Sequence, residues 1–182
     1  MKWIILKDTD KKITGEVEKI SGQVVANCYQ CGKCTAGCPL AYAMDLGPTR
    51  FIRILQLGVT EEIKKSNTPW FCISCETCTT RCPREIDIAK LMDATRIVSQ
   101  NGEFKPRELR IAIFDKIFTK LVEVFGRPPE FLLGALNNAL TFNLFKDVLL
   151  FPKMFIKGKL PISFSRVNSK AVQQIFEKSK SR

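Results

Sequence analysis

The sequence predicts a mainly α-helical protein, with a cysteine-bearing domain over residues 1–104 and a helical extension over residues 105–182. Three observations predict this class. All eight cysteines fall in two short windows, each window is followed by a segment of helical periodicity, and the second half has helical patterns without cysteine. The chain has no histidine, which excludes catalysis by a His-containing triad and removes a common zinc ligand.

The cysteine windows, residues 28–39 and 72–83, both read C-x2-C-x2-C-x3-C-P. Cysteines spaced by two residues lie on a tightly turning loop, so three sulfurs converge on three corners of a cube. In bacterial ferredoxins this run holds 4Fe–4S clusters, and the fourth cysteine ligates the cluster of the other run. The spacing therefore predicts two 4Fe–4S clusters with crossed ligands. The expected ligand sets are Cys28, Cys31, Cys34 and Cys82 for one cluster, and Cys72, Cys75, Cys78 and Cys38 for the other.

Three other uses of cysteine fit this spacing less well. Structural zinc needs four ligands per site. A run of three cysteines with a fourth cysteine far away in the sequence is poorly suited to such a site. Cysteines two residues apart make poor disulfide partners, and we expect no signal peptide at the N-terminus. Redox chemistry by a C-x-x-C pair would not require six further cysteines.

The elements of the first half follow the windows. Residues 3–6 are compatible with a short strand, although their apolar residues do not alternate. After the first window, Pro48 predicts the start of a helix that ends at Gly58, and a shorter helix begins near Thr60. The second window lies 44 positions after the first, and Asp87 after it predicts a helix cap. A helical link between the windows favours an α-helical ferredoxin over a β-rich one.

The second half is expected to be helical over residues 106–125, 130–140, 143–151 and 168–178. Charged and amide residues interrupt each apolar segment, so we expect no membrane-spanning segment. Residues 101–182 hold 15 Lys and Arg against 7 Asp and Glu. Such a charge favours an acidic protein partner, an anionic membrane surface or nucleic acid, with nucleic acid ranked last because no recognition motif is present. Five phenylalanines are expected at a partner interface or in the core: Phe142, Phe145, Phe151, Phe155 and Phe164.

Several residues inside the windows are candidates for raising a cluster potential. Lys33 and Arg81 could act through their charge, and the backbone N–H groups of Gly32 and Gly37 through hydrogen bonds to sulfur. Plain solvent exposure is the alternative for the two cations.

The two windows and their helical spacer resemble the iron–sulfur C subunit of the heterodisulfide reductase of methanogenic archaea, closely over residues 14–102 and more loosely beyond. The resemblance implies a cytoplasmic, non-catalytic electron-transfer subunit of an oxidoreductase complex. Its partners would be the heterodisulfide reductase subunits A and B. The A subunit carries flavin, the B subunit reduces the coenzyme M–coenzyme B disulfide, and hydrogenase or formate dehydrogenase would be reached through the A subunit. The sequence has no flavin-binding glycine fingerprint and no cysteine outside the windows, which agrees with a relay.

Two other functions remain open from the sequence. One is an iron–sulfur relay subunit of a membrane-linked anaerobic dehydrogenase or reductase, with the basic second half lying against a membrane anchor. The other is a nucleic-acid-binding or regulatory module in which the clusters are structural, which would bind polyanions in a salt-dependent way.

Overall fold

The computed structural model describes residues 9–141, 154, 156–157 and 169–180. The chain divides into two compact units after Leu109. The boundary expected from the sequence lies five residues earlier, at the end of the segment that follows the second window.

The described residues are mainly helical and contain no β-strand, so the predicted fold class is confirmed. One isolated bridge pairs Thr9 with Val59. The helices are α1 (Lys12–Ser21), α2 (Lys33–Ala36), α3 (Pro48–Leu57), α4 (Thr60–Lys65), α5 (Thr68–Phe71), α6 (Thr77–Thr80), α7 (Ile88–Gln100), α8 (Leu109–Phe125), α9 (Glu130–Leu140) and α10 (Ser169–Lys180), with a 3-10 turn at Val25–Asn27.

The core of the first unit is built by α1, α3 and α7, with α1 lying along α7. Helix α1 was not predicted, although Ile13 and Val17 on it are four residues apart and both buried. The Thr14 hydroxyl donates to the carbonyl of Leu55 at 2.9 Å and joins α1 to the last turn of α3. Fully buried side chains of α3 and α7 complete this core: Phe51, Ile52, Ile54, Leu55, Leu91, Met92 and Val98.

The N-termini of helices α3 and α7 are stabilised in different ways, both as predicted. Pro48 occupies the first turn of α3, where its missing N–H costs no hydrogen bond. The Asp87 side chain caps α7 by accepting from the N–H of Lys90 at 3.1 Å. Gly58 ends α3 in the left-handed conformation, with φ of 64°. Each helix therefore starts at a fixed point a few residues after a cysteine window.

The segment after α7 stays attached to the first unit. Phe104 is buried, its carbonyl accepts from the Ser99 hydroxyl at 3.1 Å, and Glu103 pairs with Lys12. Because these contacts hold the chain against the core, α8 begins at Leu109 and not at Pro106 as the sequence predicted.

In the second unit, α8, α9 and α10 match three of the four predicted helices. The fourth predicted helix (143–151), the possible strand at 3–6, and Phe142, Phe145, Phe151, Phe155 and Phe164 lie outside the described residues. Within the part of the chain that the structure describes, no helix has the length and apolar character needed to cross a bilayer.

Candidate metal centres

The two cysteine windows have the same backbone conformation. The residues just before and just after the second cysteine have positive φ in both, namely Gln30 (65°) and Gly32 (79°), then Ser74 (49°) and Glu76 (58°). Left-handed residues reverse the chain within a few positions, which winds each loop tightly around its cysteines. A short helix follows, α2 in the first window and α6 in the second. The 44-residue repeat seen in the sequence is thus a structural repeat.

The windows lie against each other through α2 and α6. Arg81 of the second window lies across Gly37 of the first, so closely that a Cβ added to Gly37 would be 2.7 Å from the Arg81 Cδ. This contact is near the last cysteine of each window, Cys38 and Cys82. The close approach lets each window reach the loop of the other.

Each of two cavities is lined by four cysteines, three from one window and one from the other. We call them the first site, with about 290 Å³ of atom-free space, and the second site, with about 410 Å³. The first site is lined by Cys28, Cys31, Cys34 and Cys82, with Gly32, Lys33, Thr49, Ile52, Ile86 and Ile88. The second site is lined by Cys72, Cys75, Cys78 and Cys38, with Glu76, Thr77, Ile88, Ala89 and Met92 among its other residues.

The donor set of each cavity suits an iron–sulfur cluster. Cys thiolates are the usual ligands of 4Fe–4S clusters, and four thiols line each cavity. Among the described residues, no three His, Cys, Asp or Glu side chains meet closely enough to hold a single ion. The four sulfurs of each site surround a volume, as ligands bound to four different irons would.

The apolar surroundings make several of these thiols poor acids. Burial raises the pKa of Cys28 and Cys72, and raises that of Cys78 to about 11, with the Cys72 thiol adding to the shift at Cys78. The exposed Cys75 behaves in the opposite way, because a hydrogen bond with the Thr77 hydroxyl lowers its pKa. Deprotonating the buried thiols is unfavourable on its own and becomes favourable when cationic iron binds the thiolates.

Hydrogen bonds surround the sulfurs of the first site. The Thr49 hydroxyl lies 3.1 Å from the Cys34 Sγ, and the Thr35 hydroxyl donates to Thr49 Oγ1 at 2.9 Å. The Gln30 side-chain amide lies 3.4 Å from the Cys28 Sγ and also donates to Gln56 Oε1. Gln56 is held in turn by its own donation to the carbonyls of Val25 and Cys28, both at 2.8 Å.

The hydroxyls around the second site are shared with carboxylates. Thr79 lies close to the Cys78 sulfur but donates to Asp87 Oδ1 at 3.2 Å. The Thr77 hydroxyl lies 3.5 Å from the Cys75 Sγ. Ser74 sits where Gln30 sits in the first window, but its hydroxyl donates to Asp93 at 3.1 Å and accepts from Arg96 at 3.1 Å. Arg96 and Asp93 also pair directly with each other.

The predicted cysteines line the two cavities, but sequence reasoning missed the polar residues around them. Of the two candidate cations, Lys33 lines the first site and Arg81 lies across Gly37. Thr49 and Gln56 were missed because both lie on α3, which the apolar pattern identified only as a core helix. Their position on the cavity side of that helix, three and four residues from the buried Ile52, was the available signal.

Comparison with known proteins supports an iron–sulfur interpretation of this geometry. Residues 27–87 match the 4Fe-4S dicluster domain. The matched segment spans both windows and the helices between them, and it covers every cysteine of the two sites.

Curated relatives extend the similarity beyond the windows. The iron-sulfur C subunit of the CoB–CoM heterodisulfide reductase of Methanopyrus kandleri is 34% identical over 110 residues, 60% of this chain and 56% of that protein. The C subunit of the H(2):CoB-CoM heterodisulfide,ferredoxin reductase of Methanothermobacter marburgensis is 31% identical over 87 residues, 48% of this chain and 47% of that protein. An iron-sulfur C subunit of the CoB–CoM heterodisulfide reductase of Methanocaldococcus jannaschii is 36% identical over 76 residues, 41% of this chain and 40% of that protein.

The chain spans about half the length of the curated relatives it matches. The resemblance to the heterodisulfide reductase C subunit noted from the sequence is confirmed as a similarity over the cysteine-bearing region. The domain match and these names support an iron–sulfur electron-transfer role.

Proposed function

We propose that this chain is the electron-transfer iron–sulfur subunit of a heterodisulfide reductase complex. It would relay single electrons between the flavin-containing A subunit and the B subunit, which reduces the coenzyme M–coenzyme B disulfide in methanogenesis. The observation that supports this most strongly is the pair of four-cysteine cavities that share both windows. The similarity to proteins named as C subunits of heterodisulfide reductases supports the choice of this complex.

The ligands in this proposal are the cysteines that line each cavity. When bound, each 4Fe–4S cluster would supply a centre that gains and loses one electron at a time. The thiolates hold the iron, and the exchange of Cys38 and Cys82 between windows ties the two sites into one folded body. The first site would use Cys28, Cys31, Cys34 and Cys82, and the second Cys72, Cys75, Cys78 and Cys38.

The same residues support a non-catalytic place in the complex. All eight cysteines line one cavity or the other, so none is left to exchange with a disulfide substrate. A cytoplasmic location is part of the proposal, since a reducing compartment keeps cysteines unoxidised and available to bind iron.

We assign partner docking to the second unit. On α8, the rings of Phe114 and Phe118 stack with centroids 6.1 Å apart, and both side chains are 41% exposed. Exposed aromatic pairs are typical of interface centres. The net positive charge of residues 101–182 would attract an acidic partner surface.

The proposal is tested on native protein purified without oxygen. We expect about eight iron and eight sulfide per chain, and a flavoprotein with a second cysteine-rich protein identified by mass spectrometry in the same soluble complex. Retention of a membrane cytochrome or quinone-binding anchor would favour a membrane-linked relay instead. An iron-free chain, or one bound to nucleic acid, would contradict the proposal.

The docking assignment has its own test. Replacing Phe118 with Glu should weaken retention of the partner proteins about tenfold or more, because it places a charge in an apolar contact. Tyr42→Glu is the matched control, since Tyr42 is 85% exposed and lies in the first unit. Equal retention by the two variants would contradict docking through α8.

A further inference from the structure

The two sites are related by the internal repeat, and the relation extends into the helices that follow the windows. Within the windows the offset is 44, so Thr35 corresponds to Thr79. In α3 and α7 it is 40, because Pro48 and Ile88 begin the two helices. Thr49 and Ala89 thus occupy corresponding positions, the second residue of each helix. The N–H of Thr49 donates to Thr35 Oγ1 at 2.9 Å, and that of Ala89 to Thr79 Oγ1 at 3.5 Å.

Thr49 gives a hydrogen bond to a sulfur of the first site, whereas Ala89 gives none to the sulfurs of the second site. Thr35 Oγ1 accepts from the Thr49 N–H and donates its own proton to Thr49 Oγ1. The Thr49 hydroxyl proton is then free to point at the Cys34 Sγ, 3.1 Å away. Ala89 lines the second site with a methyl group, which cannot donate to Cys78. The Thr79 hydroxyl lies close to the Cys78 sulfur, but it donates its proton to Asp87 Oδ1 at 3.2 Å.

The residues after the second cysteine of each window give the two sites different charges. The first site is lined by Gly32 and Lys33. At the corresponding positions, the second site is lined by Glu76 and Thr77. A cation at the first site is thus matched by an anion at the second, and both side chains are exposed, so solvent screens their effect without removing it.

The remaining charged groups near the second site form two ion pairs, Arg96 with Asp93 and Lys90, which faces Glu76, with Asp87. Arg96 favours negative charge at Cys72, and Asp93 opposes it. The two side chains pair with each other and with Ser74. In the first site the Gln30 amide remains available as a second donor, 3.4 Å from the Cys28 Sγ.

One-electron reduction makes a cluster more negative by one charge, so donors to sulfur and nearby cations favour the reduced form. We propose that the repeat holds its two clusters at different potentials, with the first site the better electron acceptor and the Thr49 hydroxyl a positioning group that raises its potential. This inference rests on the proposed function. One electron delivered to the pair then resides at the first site, and the second site is left oxidised.

Burial acts in the opposite direction at one position only. Cys34 is buried, whereas its counterpart Cys78 is half-buried. Each site has one exposed thiol, Cys31 or Cys75. Because the exposure of the sites is otherwise similar, the extra donors and the opposite charges decide the order.

The test is a redox titration of the anaerobic protein, followed by electron paramagnetic resonance. We expect two reduction steps in the wild type, and Thr49→Val should lower the midpoint of the higher one alone. Lys33→Gln should lower the same midpoint. Glu76→Gln and Ala89→Ser should raise the lower midpoint and leave the higher one in place.

The outcomes separate this inference from the proposed function. Full iron content with two equal midpoints, or a Thr49→Val effect on the lower midpoint, would overturn the inference alone. Full iron content with no effect of Thr49→Val on either midpoint would also overturn it. A protein without clusters would overturn the proposed function and this inference together. Iron content of each variant equal to the wild type shows that the substitution left both sites assembled.

Discussion

The two halves of the internal repeat share their ligand geometry and differ in what surrounds it. Both windows place left-handed residues around the second cysteine and give their last cysteine to the other site. Around that frame, the first half supplies Lys33 and the Thr49 hydroxyl, and the second supplies Glu76 and Ala89. The comparison shows that the loops bearing the cysteines are the same in both halves, whereas the neighbouring side chains differ and can set the properties of a bound metal group.

The largest effects should come from the helices, whose core both halves share. Phe51 on α3 and Leu91 on α7 are at corresponding positions and are 0% exposed. We expect Phe51→Ala to lower the free energy of unfolding by about 3–5 kcal/mol and Leu91→Ala by about 2–5 kcal/mol, because each leaves a cavity. Anaerobic urea unfolding followed by circular dichroism measures both.

Tyr42→Ala is the control, since an 85% exposed side chain should change stability by less than about 0.5 kcal/mol. A small loss in only one of the two core variants would show that the halves do not share one core.

A smaller effect should distinguish the starts of the two helices. Asp87 caps α7, and we expect Asp87→Ala to lower stability by about 1 kcal/mol. Asp87→Asn keeps an equally good cap and should stay within a few tenths of a kcal/mol. Gly47, which precedes α3, cannot be replaced by a side-chain cap, because a Cβ at this position would lie 2.7 Å from Thr35 Cγ2. Thermal midpoints of the anaerobic variants measure the difference, and equal losses for Ala and Asn would contradict a capping role.

A further effect of similar size concerns backbone strain, which differs between the two windows. Gly32 has a φ of 79° and no protein atom within 4 Å of an added Cβ, so the main effect of Gly32→Ala is on the backbone conformation. We expect a loss of about 1–2 kcal/mol. Glu76 has a φ of 58° at the matching position, and Glu76→Gly should raise stability by about 0.5–1 kcal/mol. A loss of stability in Glu76→Gly would mean that its side chain contributes more than its backbone costs.

Local signals in the sequence predicted the helical fold well. Pro48, Gly58 and Asp87 act through their own backbone chemistry, so their roles could be read without knowing their neighbours. Helix α8 started later than predicted because Phe104 is buried against distant residues, which no local signal reports.

The candidate sites were predictable in their cysteines and not in their surroundings. Cysteine spacing reflects the shape of the cluster, so the ligand sets followed from the sequence and stay a prediction until iron is measured. The match between Thr49 and Ala89 is hidden in the sequence, because eight residues separate Pro39 from Pro48 but only four separate Pro83 from Ile88. The offset changes from 44 to 40, and only the structure aligns the two helices.

The exchange of the last cysteine between windows is the central claim, and the residual electron paramagnetic resonance spectrum of four single variants tests it most directly. Each variant should keep about four iron per chain. Cys82→Ser should leave the same spectrum as Cys31→Ser, because both damage the first site, and Cys38→Ser should match Cys75→Ser. If Cys82→Ser instead matches Cys75→Ser, each window keeps its own four cysteines and the crossed arrangement is wrong.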